Sequence, residues 1–228
     1  MWPTGKSKAE YCNKRFKVTP MKKIVRYGLI LIAIVLLGYN SVYIKSLSEV
    51  KAAAGDKFDA AAYVAKLWKD KLPARLGTAA DINEFKAAVA ADADAAFEKY
   101  SNALAVGNFR YTLVKGAAKV EKIDEDDIDI AVNGDVPFKC KLATEFIYGN
   151  TIRDASGLVA LVDFPNTSDL NSISEELNKT VREQVVPSFR SSLSAGSNIS
   201  FVAAVELNKE HIHFDDIELV PLSVKIVP

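Results

Sequence analysis

The stretch GNFRYTLVKGAAKVEKI, residues 107–123, marks the point at which the spacing of apolar residues along this chain changes. Before it, apolar residues recur every three to four positions, as on one face of a helix. After it they alternate, as in a strand with one buried face. We predict strands at residues 111–115 and 118–123, interrupted at Gly116. The sequence therefore predicts an α+β fold in which helices precede a sheet.

The alternation continues towards the C-terminus, with one helical interruption. Strands are predicted at residues 128–132, 138–148, 159–164, 199–207 and 217–227. Cys140 lies among the apolar positions of one strand, which predicts a buried, unreactive thiol. Residues 169–193 have helical spacing, and Pro187 is expected to kink or split that helix because proline lacks an amide hydrogen. This order is typical of a small antiparallel OB-like β-barrel with an inserted helix; an open α+β sheet is the alternative.

Two helices are predicted upstream of the strands. The first covers residues 58–72 and ends at Pro73, and the second covers residues 82–104 and begins at a Thr78 or Asp81 cap. Each carries one apolar stripe, so we expect them to pack together as an antiparallel helical hairpin. Trp68 lies in the first stripe and is interpreted as a core residue. The predicted domains are a hairpin at 57–107 and the OB-like domain at 108–228.

Further upstream, residues 24–44 read IVRYGLILIAIVLLGYNSVYI, with Arg26 as the one charged residue. About 20 apolar residues suffice for a helix to cross a bilayer. Basic residues are concentrated before this run, which predicts a cytosolic N-terminus and an external body. A cleaved signal peptide is the alternative, but the run is followed by a poor cleavage sequence. We predict a cytosolic tail at 1–23, a transmembrane signal anchor at 24–44 and a stalk at 45–56.

Composition and motifs argue against several classes of function. The formal net charge is zero and the part after the anchor is mildly acidic, which disfavours nucleic-acid binding. The chain contains no glycine-rich phosphate loop and no GxSxG, HExxH or CxxC motif. His211 and His213 are interpreted as residues of a solvated turn, and the acidic residues 124–127 lack the glycine of a calcium loop. We therefore predict no cofactor or metal, and an enzymatic role is disfavoured.

Three polar clusters supply candidate ligand-binding residues near the ends of predicted strands. The first is in the turn-like sequence GNTIRDASG, the second follows the strand at 159–164, and the third lies where helix gives way to strand. The alternative for the first cluster is that its arginine and aspartate only fix a turn. The candidates are Asn150, Arg153 and Asp154 in the first cluster, Asp163 and Asn166 in the second, and Arg110 and Lys115 in the third.

Four stretches carry a resemblance to a known family: FDAAAYVAKLW (58–68), GNFRYTLVKG (107–116), GNTIRDASG (149–157) and VDFPNTSDLNSISEELN (162–178). The chain resembles an uncharacterised bacterial family of predicted periplasmic lipoproteins, the domain of unknown function 2291. The resemblance implies an anchored extracytoplasmic protein, sometimes encoded near sugar-import transporters. The sequence departs from the lipoprotein description because no cysteine lies between Gly28 and Phe138, which favours the helical anchor.

The leading hypothesis is a membrane-anchored accessory or binding protein of the cell inner membrane with a periplasmic or extracytoplasmic body. The resemblance implies as partner a solute-binding or permease component of a sugar ABC transporter. One alternative is an envelope hydrolase that uses Asp154, Asp163 or the two histidines. Another is a purely structural envelope protein.

Overall fold

The computed structural model describes residues 23–41, 58–103, 107–164, 166–215 and 217–227. The chain divides into two units, Met1–Lys57 and Phe58–Pro228, and each is described by itself. The predicted stalk and all but the last residue of the predicted tail lie outside the described residues, so the structure does not test them.

The first unit contains helix α1, Lys23–Ser41. The large apolar side chains between Val25 and Leu37 are 47–68% exposed. Within the described ranges, no helix combines the length and the apolar character that a membrane crossing requires. The predicted span over residues 24–44 is therefore not supported by the structure, and residues 42–44 lie outside the described part of the chain.

The second unit is built on a mixed sheet. Its strands are β1 Ala80–Asp81, β2 Ser101–Asn102, β3 Phe109–Ile123, β4 Asp127–Val132, β5 Phe138–Ala143, β6 Asn198–Asn208 and β7 Ile217–Val227. The pairings of the five long strands run β3–β4–β5–β7–β6 and return to β3. β5 and β7 pair in parallel and the other neighbours in this circuit are antiparallel. β1 and β2 add to β3.

The predicted break at Gly116 is wrong, because β3 runs through it without interruption. A Cβ atom at this position would lie 3.0 Å from the side chains of both Ile82 and Phe201. Gly116 therefore permits a close approach of core side chains to the strand.

Helices surround the sheet. They are α2 Ala60–Asp70, α3 Leu72–Gly77, α4 Ile82–Ala91, α5 Ala93–Tyr100, α6 Thr151–Ser156, α7 Thr167–Thr180 and α8 Val186–Arg190. A short 3₁₀ helix occupies Leu161–Asp163, and a π-helical turn at Val181–Val185 joins α7 to α8. The predicted order of strands, helical segment and two final strands matches this arrangement.

The two upstream helices do not form the predicted hairpin. α2 packs against α3 and α7, whereas α4 packs against α5, β1 and β3. The predicted helix at 82–104 is divided because Asp92 caps a new helix, accepting a hydrogen bond from the Ala95 amide at 3.0 Å. Pro73 does not end a helix but lies in the first turn of α3, where a missing amide hydrogen leaves no bond unmade. Residue 104 lies outside the described residues.

The segment after β5 also differs from its prediction. The strand predicted at 138–148 ends at Ala143, and the turn-like residues before Gly157 form helix α6. The strand predicted at 159–164 is replaced by the 3₁₀ helix. The helix predicted at 169–193 is divided before Pro187, as its lack of an amide hydrogen requires.

One hydrophobic core joins these helices to the sheet. Phe85 of α4, Ile128 of β4, Leu142 of β5 and Leu177 of α7 are each at most 1% exposed. Cys140 is buried on β5, as its position in the alternating pattern predicts. The core therefore fixes α4, α6 and α7 relative to the sheet.

Candidate functional site

Helix α6 has the sequence TIRDAS, and all six of its residues are buried although four of them are polar. It packs on β3, β6 and α7. Buried polar groups are costly unless they are hydrogen-bonded, so each needs a partner. Gly157 ends the helix in the left-handed conformation at φ 62°, which glycine adopts without a Cβ penalty.

Side chains from distant segments satisfy carbonyls at the C-terminal end of this buried helix. Asn102 Nδ2 donates to the Ala155 carbonyl at 3.2 Å, and Arg75 Nε donates to the Ser156 carbonyl at 2.8 Å. These are the helix C-terminal carbonyls that lack intrahelical partners. The position of α6 is therefore set by β2 and by α3.

The centre of α6 holds a buried ion pair between neighbouring residues. Arg153 Nε donates to Asp154 Oδ1 at 2.7 Å, and the two side chains are 7% and 5% exposed. Arg153 Nη1 also donates to the Leu170 carbonyl of α7 at 3.2 Å. The guanidinium thus neutralises the carboxylate and joins two helices, so this pair is engaged within the fold.

The outer face of β3 and β6 meets the start of α6 at a polar contact. Tyr111 lies opposite Glu206 in the sheet, and Thr151 Oγ1 donates to Glu206 Oε2 at 3.3 Å. Burial, together with the carboxylates of Glu206 and Asp154, raises the pKa of Tyr111 to about 12. The phenol therefore stays protonated to a higher pH than an ordinary tyrosine.

A cavity of about 360 Å³, bordered mainly by polar residues, lies beside α6 and is called here the Tyr148 groove. It is lined by Tyr148, Gly149, Asn150, Asn171, Ser174, Glu175, Asn178 and Arg182. Ser174 Oγ donates to Asn150 Oδ1 at 3.1 Å, and Asn178 Nδ2 donates to the Gly149 carbonyl at 2.9 Å. Since Ser174 and Asn178 are themselves buried, the wall of the groove is held by the packing of α7.

The mouth of the groove has an exposed aromatic ring. The Tyr148 side chain is 66% exposed, and the Arg182 guanidinium carbon lies 5.2 Å from its ring centroid. Arg182 also donates to the Ile147 carbonyl. It belongs to the π-helical turn, a feature that often accompanies functional sites because it changes the direction of side chains. The ring is thereby braced by a cation on one side and open to solvent elsewhere.

The groups that line the groove are suited to forming hydrogen bonds with a ligand. Its amide and hydroxyl groups act as both donors and acceptors, and its two charged side chains, Glu175 and Arg182, have opposite signs. The carboxylate of Asp154 is engaged by Arg153, and His211 and His213 are exposed. Across the described ranges, no group of three or more His, Cys, Asp or Glu side chains is arranged to hold a metal ion.

The structure brings three of the seven candidate residues together and separates the others. Asn150 lines the groove, and Arg153 and Asp154 lie on the buried helix that follows it. Arg110 donates to the carbonyls of Gly107 and Phe109 on a different surface.

Three further candidates lie at other positions. Lys115 is exposed on β3. Asp163 is exposed in the 3₁₀ helix. Burial of the Tyr63 phenol and, to a smaller extent, the nearby Asp163 carboxylate raise the pKa of Tyr63. Asn166 caps α7 by accepting from the Ser168 amide at 3.0 Å. Ligand binding by these residues stays a prediction.

Sequence reasoning missed Ser174, Asn178 and Arg182, and it assigned Tyr148 to the end of the strand predicted at 138–148. Asn171, Ser174 and Asn178 recur at helical spacing beside the apolar stripe of α7, and this polar stripe was a usable signal. No sequence signal indicated the direction of the Arg182 side chain, because that direction depends on the π-helical turn before Pro187.

The strand circuit and the inserted helices define an α+β protein, and the Tyr148 groove is its candidate site. The chain belongs to the family described as predicted periplasmic lipoprotein (DUF2291), which matches residues 32–225. The family resemblance of the four sequence stretches is thereby confirmed, and it indicates an extracytoplasmic location.

A solved structure supports the fold. The chain is similar to an OB-fold protein from Thermotoga maritima, with 31% sequence identity and a TM-score of 0.66. The similarity covers 75% of this chain and 100% of the other. No curated protein matches the chain.

Proposed function

We propose that this protein is an extracytoplasmic binding protein that holds a small, uncharged, polyhydroxylated ligand of the sugar class in the Tyr148 groove. The observation that carries the proposal is the exposed Tyr148 ring at the mouth of a cavity lined by amides and a hydroxyl. The similarity to a solved OB-fold protein and the circuit of strands support an OB-like closed scaffold.

The chemistry of the lining favours a neutral polyol. An aromatic ring offers an apolar face to the C–H side of a sugar ring, while a few placed polar groups fix its orientation. Asn150 and Asn171 supply amide donors and acceptors suited to hydroxyl groups. The opposite charges of Glu175 and Arg182 give no net preference for an ionic ligand.

The binding proposal is tested by calorimetric titration of the full chain with a panel of neutral mono- and disaccharides. Tyr148→Ala is expected to weaken binding at least about ten-fold, since stacking on an aromatic ring is lost. Phe146→Ala is the matched control, because Phe146 is 60% exposed and does not line the groove. Binding of no sugar, or equal losses in both variants, contradicts the proposal.

A second part of the proposal concerns attachment to the cell inner membrane. Helix α1 presents large apolar side chains to solvent, and exposed apolar surface of this kind is typical of contact with lipid or another protein. Basic residues precede the helix, which supports the single-pass orientation with a cytosolic N-terminus.

Membrane attachment is tested by fractionating cells that express either the full chain or a chain starting at Phe58. The full chain is expected with the membranes, and the shortened chain, which lacks the proposed signal anchor, is expected in the soluble cytosolic fraction. On the full chain, a C-terminal reporter that is active only outside the cytosol checks the orientation. Equal fractionation of both chains, or a reporter on the full chain that stays in the cytosol, contradicts the proposal.

A third part of the proposal is that the protein hands its ligand to a solute-binding or permease component of a sugar importer. It is supported by the family resemblance and by the sugar-type chemistry of the groove. Cross-linking in intact cells, followed by capture of the full chain, is expected to recover such a component. The Tyr148→Ala variant should leave this recovery unchanged if the partner binds outside the groove.

A further inference from the structure

A second surface, independent of the Tyr148 groove, lies on the exposed face of β3, β6 and β7. Strand register sets its residues in three rows. These rows are Lys115, Val202 and Ser223, then Ala117, Ser200 and Lys225, then Lys119, Asn198 and Val227. We call these nine residues the lysine face. Cross-strand neighbours in one register share a face of the sheet, so they form one continuous surface.

The burial pattern shows that this face points to solvent. All nine residues are exposed or half-buried, whereas the intervening Ala118, Ile199 and Phe201 are at most 2% exposed. Short side chains at Ala117, Ser200 and Ser223 leave a depression between the longer ones. This depression is a cavity of about 360 Å³ that Lys115 and Lys225 both line.

The lysines of this face differ from other lysines of the same sheet. Lys122 binds Asp124 at 2.6 Å, Lys139 binds Glu121 at 2.8 Å and Lys141 binds Asp127 at 2.9 Å. Within the described residues, no carboxylate lies within ion-pair distance of Lys115 or Lys225.

The acidic residue nearest in register does not neutralise this pair. Asp81 lines the same cavity and is paired with Lys115 in the sheet. Its carboxylate oxygen accepts from the amides of Asn83 and Glu84, at 2.9 and 3.2 Å, where it caps α4. Two ammonium groups and one carboxylate leave a local excess of positive charge beside the hydroxyl-bearing residues Ser200 and Ser223.

We infer that the depression between Lys115 and Lys225 binds a phosphate group. Sheet geometry places the two Cα atoms about 12 Å apart, two strands across and two residues along, so extended lysine side chains are long enough to reach one anion between them. Lysine binds phosphate as a point charge, and a phosphate has enough acceptor oxygens to use the Ser200 and Ser223 hydroxyls as well. The phosphate belongs either to a soluble phosphate ester or to a lipid headgroup.

The test titrates the full chain with inorganic phosphate, with the headgroup fragment glycerophosphoglycerol and with acetate, followed by calorimetry. Phosphate or the fragment should bind more tightly than acetate, and added sodium chloride should weaken binding because salt screens exposed charges. Preference for inorganic phosphate supports a soluble ester, and preference for the fragment supports a lipid headgroup.

Two double variants with the same change in net charge distinguish a specific phosphate site from non-specific attraction of anions to the positive charge of the protein. Lys115→Gln with Lys225→Gln should weaken binding about ten-fold or more, because both charges contact the anion. Lys122→Gln with Lys139→Gln should change it less than about two-fold, because those charges are already paired. Thermal unfolding confirms that both variants fold. No binding above acetate, or equal losses in both variants, overturns the inference.

Discussion

At the scale of single residues, the polar groups whose burial costs the most free energy are charged side chains that form ion pairs and hydrogen bonds within the fold. Arg153 and Asp154 are adjacent in sequence and share one buried ion pair. Such a pair adds little net stability by itself, but removal of one partner leaves an uncompensated buried charge. Because Arg153 also reaches the Leu170 carbonyl, the same change removes a link between α6 and α7.

Arg153→Ala is therefore expected to lower the free energy of unfolding by about 3 to 5 kcal/mol. Urea unfolding followed by circular dichroism measures the loss. Arg110→Ala is the control, since half-buried Arg110 donates to the nearby backbone carbonyls of Gly107 and Phe109, and a change within about 0.5 kcal/mol is expected. A loss for Arg153→Ala as small as that of the control would contradict the buried-pair interpretation.

A second residue-scale prediction concerns the ionisation of Tyr111, whose pKa is raised to about 12. The folded state favours the protonated phenol, so this stabilisation is complete below pH 10, the ordinary tyrosine pKa, and is lost as pH rises towards 12. Ultraviolet titration should show one tyrosine that ionises last, and Tyr111→Phe should remove that step.

The control for this titration is Tyr148→Phe, which removes an exposed phenol. It should leave the last ionisation step in place. If the Tyr111→Phe protein retains that step, the assignment of the raised pKa to Tyr111 is wrong.

At the scale of elements, α6 shows why part of the site was beyond prediction. Its six residues have no apolar periodicity, and its turn-like sequence favours a loop. The helix is stabilised by Asn102, Arg75 and Leu170, which lie far away in sequence. A local pattern cannot report such partners, so the polar cluster was predictable but its burial was not.

The long strands were easier to predict than the helices. β7 matches its predicted range because its eleven residues are mostly apolar and β-branched, which favours a strand over the whole segment. The helix predicted at 82–104 was divided because Asp92 competes for backbone amides, and its apolar stripe continues across the break. Periodicity therefore located the buried faces, whereas capping decided where elements begin and end.

Alanine substitutions at the glycines at the ends of two short helices should change the stability of the protein in opposite directions. Gly157→Ala should destabilise the protein by about 1 to 2 kcal/mol, because its φ of 62° is left-handed. Its new Cβ would also lie 3.1 Å from Asn102. Gly77→Ala should stabilise α3 by up to about 1 kcal/mol, since no atom lies within 4 Å of the added methyl and φ is ordinary.

Chemical denaturation of the two glycine variants under the same conditions checks the comparison. The difference in sign is the decisive result. A neutral Gly157→Ala would show that the end of α6 relaxes without cost, contrary to the role given to this turn.

At the scale of the whole molecule, every core residue in the described part of the chain comes after Lys57. The sequence predicted the external body and its α+β class, because composition and period are properties of long segments. It did not predict that α2 packs on α7, since the choice among several apolar stripes depends on three-dimensional fit.

The position of this core predicts that a chain starting at Phe58 folds without the preceding unit. It should unfold in one cooperative transition. Differential scanning calorimetry and urea unfolding monitored by two probes measure this cooperativity. Broad transitions, or transitions that differ between probes, would show that residues before Phe58 complete the fold.

The parallel pairing of β5 with β7 has a consequence for the speed of folding. These strands are neighbours in space but are separated in sequence by the entire helical segment and β6, so their contact raises the contact order of the protein. The chain entropy lost in closing so long a loop is offset only when β7, the last strand, forms its contacts with β5. We expect this junction to form after the rate-limiting barrier, so that weakening it accelerates unfolding far more than it slows refolding.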